Sequence, residues 1–224
     1  MFNNLYGEEA IFLRLKGIEI KELLIKLSEV MTKNKEYLTE LDATIGDGDH
    51  GLNLHKGFTA MVDKIKDVTG EDIGDMLKKS GLALVSSVGG ASGPLYGTAF
   101  MKASMKVQGK SEVDLKDFLE MLQAALDGVK LRGKAEIDDK TMVDAIEPAL
   151  NQLRESLSND EGTIDTLFKV KEAAYKGANH TMDIIAKKGR ASYLGDRSLG
   201  HKDPGAVSSA LIFETIYDFV KSKG

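Results

Sequence analysis

Apolar residues along this chain recur at helical spacing rather than in alternation. From residue 18, Ile20, Leu23, Leu24, Leu27, Val30 and Met31 fall on one stripe, which Tyr37, Leu38 and Leu41 prolong. A second helix is predicted from near Gly51 to about residue 67, with Leu54, Phe58, Met61 and Ile65 inward. A third spans 73–87, turning Ile73, Met76, Leu77, Leu82 and Leu84 inward. Pro94 suits the first turn of a fourth, to about 107. Ser111, three residues ahead of Asp114, reads as a capping-box start for a fifth, to about 131. The sixth, 141–157, contains Pro148, which predicts a kink. The seventh starts at 160–163 and runs to 188, and Asp203-Pro204 supplies an N-cap and a first-turn proline for the last, 205–221. Tyr37, Phe168 and Tyr175 are expected in the core. Residues 1–16 follow neither period and are expected to form a loosely packed arm. No alternating segment demands a sheet. The expected fold is all-α, an eight-helix antiparallel up-and-down barrel or bundle in a single domain over 1–224.

Composition narrows the classes of function. The 224 residues are 42% hydrophobic and 29% charged, as in an ordinary globular protein that buries a substantial core. A net charge of −5 disfavours nucleic acid or an anionic membrane as the main partner. The absence of cysteine excludes disulfides, thiolate chemistry and soft-metal sites. Glu8, Glu9, Arg14 and Lys16 interrupt any apolar leader, so a cytoplasmic location is expected. Ser80 to Met101 is uncharged over 22 residues, but its five glycines, four serines and Pro94 make it helix, loop, helix and not a membrane span.

The densest chemistry lies between Asp42 and Gly51, where Asp42, Asp47 and Asp49 alternate with three glycines within ten residues. Glycine permits tight folding, so the carboxylates can converge, and converging carboxylates call for a cation such as Mg2+. Gly46-Asp47-Gly48-Asp49-His50-Gly51 matches G-x-G-x-x-G, but it follows a helix and would face pyrophosphate with aspartates. The EF-hand pattern fails because its twelfth position is Phe58. Taken alone, the stretch reads equally as an acidic surface turn.

Helix parity brings further loops to the same end. Connectors after odd-numbered helices share a rim, which joins the acidic loop to the Gly-rich loop 86–98, the connector 132–140 and the loop 189–201. Small residues and free amides at a helix start favour an anion, although no Gly-Lys-Ser/Thr makes a Walker A loop. Arg190 and Arg197 offer planar forks suited to phosphate, or to surface carboxylates. Metal-binding carboxylates, helix starts and arginines together suit a Mg2+-bridged nucleotide polyphosphate and phosphoryl transfer. His55 and His180 are read as structural.

These motifs resemble the dihydroxyacetone kinase L-subunit (DhaL) family. Leu41-Asp42 through Gly46-Asp47-Gly48-Asp49-His50-Gly51-Leu52-Asn53 looks like its first signature, and Ser86 to Thr98 its second. Asp139-Lys140-Thr141-Met142-Val143-Asp144 resembles the third, and Gly189 to Ser198 with Gly200-His201-Lys202-Asp203-Pro204-Gly205-Ala206 the last. The resemblance implies an eight-helix barrel with the nucleotide at one rim, holding tightly bound ADP through two Mg2+ ions on Asp42, Asp47 and Asp49. It implies nucleotide contacts at His50, Gly51, Leu52, Asn53, Ala91, Ser92, Gly133, Met142, Arg190, Asp203, Pro204 and Gly205, with Arg190 also the charge clamp on the transferred phosphate. Asp138 stands where glycine is expected, and Asp196 where glutamate is usual.

The implied activity transfers a phosphoryl group from a phosphohistidine-carrying M subunit, through bound ADP/ATP, to dihydroxyacetone held on a K subunit. A chain of this length leaves no room for a K-like domain, so separate partners are expected. Two alternatives stand beside it: an ATP-exchanging kinase subunit for another short ketose, and a non-catalytic nucleotide sensor that regulates a partner.

Overall fold

The computed structural model describes residues 14–223. Most of the arm expected over 1–16 lies outside that range. Within it, Leu15–Lys16 (β1) pairs antiparallel with Glu112–Val113 (β2), a two-residue ladder that hydropathy did not predict.

Nine α-helices follow among the described residues: α1 Gly17–Lys33, α2 Lys35–Ile45, α3 His50–Ile65, α4 Ile73–Ser87, α5 Ser92–Ser104, α6 Leu115–Gly133, α7 Val143–Ser158, α8 Thr163–His180 and α9 Pro204–Lys221. The expected first helix is two, because Asn34 interrupts it. The Asn34 amide side chain donates to Val30 O at 2.9 Å, the local competition with the backbone that makes asparagine a poor helix interior. Both pieces pack on α3 and together fill one place in the ring. Each later helix packs on the next, and α9 returns to α1, closing the barrel. Short connectors make neighbours antiparallel.

Several element ends differ from expectation for identifiable reasons. The capping box of α6 is Asp114 with Asp117, three residues beyond the Ser111 start: Asp114 Oδ1 accepts from the Lys116 and Asp117 amides. α7 runs unbroken through Pro148. That proline leaves Asp144 O without its helical donor, and α8 packs closest there, since a Cβ on Gly177 would stand 1.9 Å from the same oxygen. α8 stops at His180 rather than 188, passing into a 3-10 turn, Thr181–Asp183, and an extended Ile184. The Thr181 and Ile184 carbonyls are claimed by the Lys140 ammonium instead.

The core lies inside the ring. Met31, Leu38, Leu54, Phe58, Met61, Ile65, Ile73, Met76, Leu84 and Leu153 are fully buried, each contributing roughly 1.5–3 kcal/mol relative to exposure. Three expected core residues lie outside. Leu82 is 49% exposed because nine residues from Ile73 is half a turn out of phase. Tyr37 is exposed, and Phe168, also exposed, is capped by Lys171 Nζ at 4.8 Å from its ring centre. Tyr175 is partly buried and donates to Glu214 Oε2 at 2.6 Å. Among the described residues, no helix is long and apolar enough to cross a membrane.

Candidate functional site

At one end of the barrel, the C-terminal ends of α2 and α6 and the starts of α3, α5, α7 and α9 surround a cavity of about 500 Å3. Parity put four loops at this rim, and all four line it.

The acidic loop is built almost entirely by its own residues. α2 ends at Ile45, Gly48 takes a left-handed φ of 73°, and α3 opens at His50. Asp42, buried on the last turn of α2, receives the Asp49 amide (2.9 Å) and the His50 amide (3.2 Å) on Oδ2, tying down the start of α3. A Cβ at Gly46 would stand 2.1 Å from Asp42 Oδ1, so that position has room only for glycine. One oxygen from each of Asp42, Asp47 and Asp49 lies within 4.8 Å of the others. At such spacing two carboxylates repel by about 4 kcal/mol at an effective dielectric near 20. Arg190 relieves part of this by pairing with Asp47 at 2.8 Å, but with 66% of its side chain exposed the pair is weak and readily exchanged. An all-oxygen set of three carboxylates suits Mg2+, whose bonds of about 2.1 Å would draw the oxygens from within 4.8 Å to at most ~4.2 Å of one another.

His50 is fixed by its ring as well as its amide. Nε2 lies 2.9 Å from Ser208 Oγ, which is 2.7 Å from the Tyr96 hydroxyl, itself 2.9 Å from Ser209 Oγ. Burial brings His50 down to about 4, against the pull of Asp42, so the imidazole is neutral at pH 7. Burial likewise pushes Tyr96 up to about 12. This buried chain joins α3, α5 and α9 beneath the cavity.

Beside Asp49, Gly90 (φ 67°) turns the chain into α5, which opens at Ser92 with no side-chain cap. Its first amides are the unclaimed donors that attract phosphate. The third side carries Arg132, Gly133, Ala135, Thr141 and Met142. Here Lys134, Asp138 and Lys140 all have left-handed φ, between 49° and 65°. Asp138 therefore adopts the conformation that the expected glycine would favour. The buried Asp144 carboxylate secures the turn, accepting from the Asp138 amide at 2.6 Å and the Thr141 amide at 2.7 Å. Burial raises the Asp144 pKa. The fourth side brings Lys188, Gly189 and Arg190, and then Asp203-Pro204-Gly205 at the start of α9. Asp203 caps that helix through the Ala206 amide at 2.7 Å, and burial pushes its carboxyl up to about 7.

Asp42, Asp47, Asp49, His50, Ala91, Ser92, Gly133, Met142, Arg190, Asp203, Pro204 and Gly205 thus face one cavity. Three of the expected nucleotide contacts, all in the first motif, do not line it. Gly51 faces α2, where a Cβ would meet Lys35 O at 2.0 Å; Leu52 is half exposed; Asn53 sits behind Gly89 and Gly90. Arg197 is exposed and outside the lining, so of the two arginines of that loop only Arg190 borders the cavity. His55 is held by Thr32 Oγ1 at 2.9 Å and His180 by Asp138 at 2.9 Å. Sequence reasoning missed Arg132 and Lys188, single basic residues at helix and loop ends, and Lys140, which reads as an ordinary surface lysine in a polar turn.

Comparison with known proteins identifies the family. The DAK2 domain model matches residues 44–218. The PEP-dependent dihydroxyacetone kinase ADP-binding subunit DhaL of Escherichia coli K12 is 41% identical over 202 residues, 90% of this chain and 96% of that protein. A Listeria innocua DhaL of the same description is 43% identical over 84% of this chain and 89% of its own length. In solved structures the fold recurs in the dihydroxyacetone kinase of C. freundii in complex with AMP-PNP and Mg2+. There the TM-score is 0.70 at 24% identity, over 97% of this chain and 37% of that one. With that model spanning most of its helices and those relatives matched over nearly their whole lengths, the chain belongs to the DAK2 domain family.

Proposed function

We propose that this chain is the ADP-binding subunit of a phosphoenolpyruvate-dependent dihydroxyacetone kinase. In this reading it relays a phosphoryl group from a phosphohistidine-carrying M subunit, through tightly bound ADP/ATP, to dihydroxyacetone on a K subunit in the cytoplasm, the whole chain acting as one domain. The carrying observation is the convergence of Asp42, Asp47 and Asp49 within 4.8 Å, with Arg190 beside them at the mouth of a cavity walled by helix starts. Relatives matched over 89–96% of their own length bear the ADP-binding DhaL description, which favours this reading over a ketose kinase that exchanges ATP or a regulatory sensor.

Asp42, Asp47 and Asp49 would hold two Mg2+ ions, which when bound neutralise the polyphosphate and orient it. The residues of the chain supply the rest. The α5 amides at Ser92 and Gly93 receive phosphate oxygens, and Arg190 leaves Asp47 to clamp the transferred group. Gly133, Met142 and Leu95 form the apolar wall for the base, and His50, neutral and hydrogen-bonded to Ser208, keeps α3 in register below the aspartates. The test is the nucleotide content of freshly purified protein, read by anion exchange after denaturation. Near-stoichiometric ADP that survives gel filtration in Mg2+ is expected. An empty protein that binds ATP reversibly favours the exchanging kinase, and one that binds no nucleotide with Mg2+ overturns the proposal.

A further inference from the structure

Lys140 is 1% exposed, among the most buried large side chains described, and it is built into a left-handed backbone position (φ 61°). Its Nζ donates to Thr181 O (2.6 Å), Ser198 O (2.6 Å) and His201 O (2.7 Å), with Ile184 O at 3.2 Å. An ammonium has three protons, so four carbonyls saturate it. Taking that charge out of water costs several kcal/mol, recovered only through charge-assisted bonds of this kind and nearby carboxylates. Asp183 supplies negative potential, joined by Asp203 and Asp144 to the extent that burial leaves them ionised.

The four carbonyls lie 41 to 61 residues further along the chain, and all belong to the excursion between α8 and α9. That excursion carries Arg190. Its other ties are neutral bonds, the Ala186 amide to Ser198 Oγ, Gly200 to Met182 O, Lys187 to Asp139 O and Asp203 to Thr181 Oγ1, and two ion pairs from exposed side chains, Arg190–Asp47 and Lys187–Asp139, which solvent screening leaves weak beside a buried charge. On the other side, Lys140 is continuous with Thr141 and Met142, which line the cavity. One charge therefore sets the separation between the 141–142 wall and the Arg190 segment. The carbonyl cage is what a compact monovalent cation requires, with the ammonium at its centre.

We propose that Lys140 is a positioning residue, an internal cation around which the segment from Thr181 to His201 folds so that Arg190 reaches the aspartates. The consequence for nucleotide rests on the function proposed above; the ordering of the segment does not. The test uses Lys140→Met, which keeps length and removes charge, and Lys140→Ala, which opens the cage. In hydrogen exchange on nucleotide-free protein, peptides over 181–203 should lose protection in both variants while α3–α5 stay protected. ADP affinity in Mg2+ should fall by about 10- to 100-fold, the cost of displacing a site by ~1 Å. Ethylammonium should restore protection and affinity to Lys140→Ala but not to Lys140→Met, and tetramethylammonium at equal ionic strength should restore neither. If Lys140→Ala does not fold alone, recovery of its helix signal by ethylammonium is read instead. Native protection in Lys140→Met, or no recovery of Lys140→Ala with any primary ammonium, overturns the proposal. If wild type binds no ADP, the functional reading falls, and exchange over 181–203 still decides the role of Lys140.

Discussion

The two sides of the rim solve opposite electrostatic problems. On the aspartate side, three carboxylates from eight consecutive residues converge with one exposed arginine paired to Asp47, a site that gains by taking a cation from solution. On the lysine side, the cation is covalently part of the chain and buried, and the protein wraps carbonyls from a distant segment around it. The first arrangement suits reversible charge, metal and phosphate; the second suits fixed geometry. In the function proposed above the rim needs both, since phosphoryl transfer has to take place against a wall that does not move.

Breaking the aspartate side should have the largest effect. Asp47→Ala is expected to weaken Mg2+-dependent ADP binding by about 100-fold or more, beyond the ~10–100-fold typical of losing a group that only orients a metal ligand, with native far-UV circular dichroism. Isothermal titration in Mg2+ reads this, and unchanged affinity removes the metal assignment. Gly46→Ala comes next. Its methyl meets Asp42 Oδ1 at 2.1 Å, so the carboxylate must move, and Mn2+ titration should show affinity lower by roughly 10-fold.

The lysine side is sharpened by pH. The Asp203 carboxyl is pushed up from 3.8 to about 7 by burial, so the folded state holds its proton more tightly than the unfolded chain does. Its contribution to stability is complete below about pH 4 and is lost as pH rises through about 7. Asp203→Asn keeps an acceptor for the Ala206 amide without the titration. Its stability relative to wild type should therefore rise between pH 4 and 7 by up to about 4 kcal/mol, at ~1.4 kcal/mol for each tenfold change in proton affinity. Urea denaturation of nucleotide-free protein across that range decides it, and a gap independent of pH contradicts the assignment. The smallest effect separates two arginines of one loop: Arg197→Ala should leave ADP affinity within about twofold and stability within ~0.5 kcal/mol, whereas Arg190→Ala should not. Equal losses in the two variants would mean that the loop turns its other face to the nucleotide.

What could be read in advance follows the same division. The acidic loop was legible because its three carboxylates, its glycines and the helix they precede lie within a dozen residues, where spacing nearly is geometry. Helix identity was legible because a 3.6-residue stripe survives any tertiary context, and Asp203-Pro204 marks a helix start by local chemistry alone. The wall formed by Arg132, Lys188 and Lys140 was not, since each is a lone basic residue whose role depends on what the fold sets opposite it.

By itself, then, the sequence determined the helical class, most helix starts, the metal-seeking cluster and, through helix parity, which loops share an end. Those properties depend on interactions within a few residues, and local spacing encodes them. Only the tertiary structure decided that α8 ends at His180, that Tyr37 and Phe168 stay outside, and that Gly51 serves a helix crossing. The end of α8 shows the reason, a competition for the same atoms between local and distant partners. Thr181 O can serve a longer α8 or a lysine 41 residues away, and the choice goes to a buried charge that has nowhere else to donate.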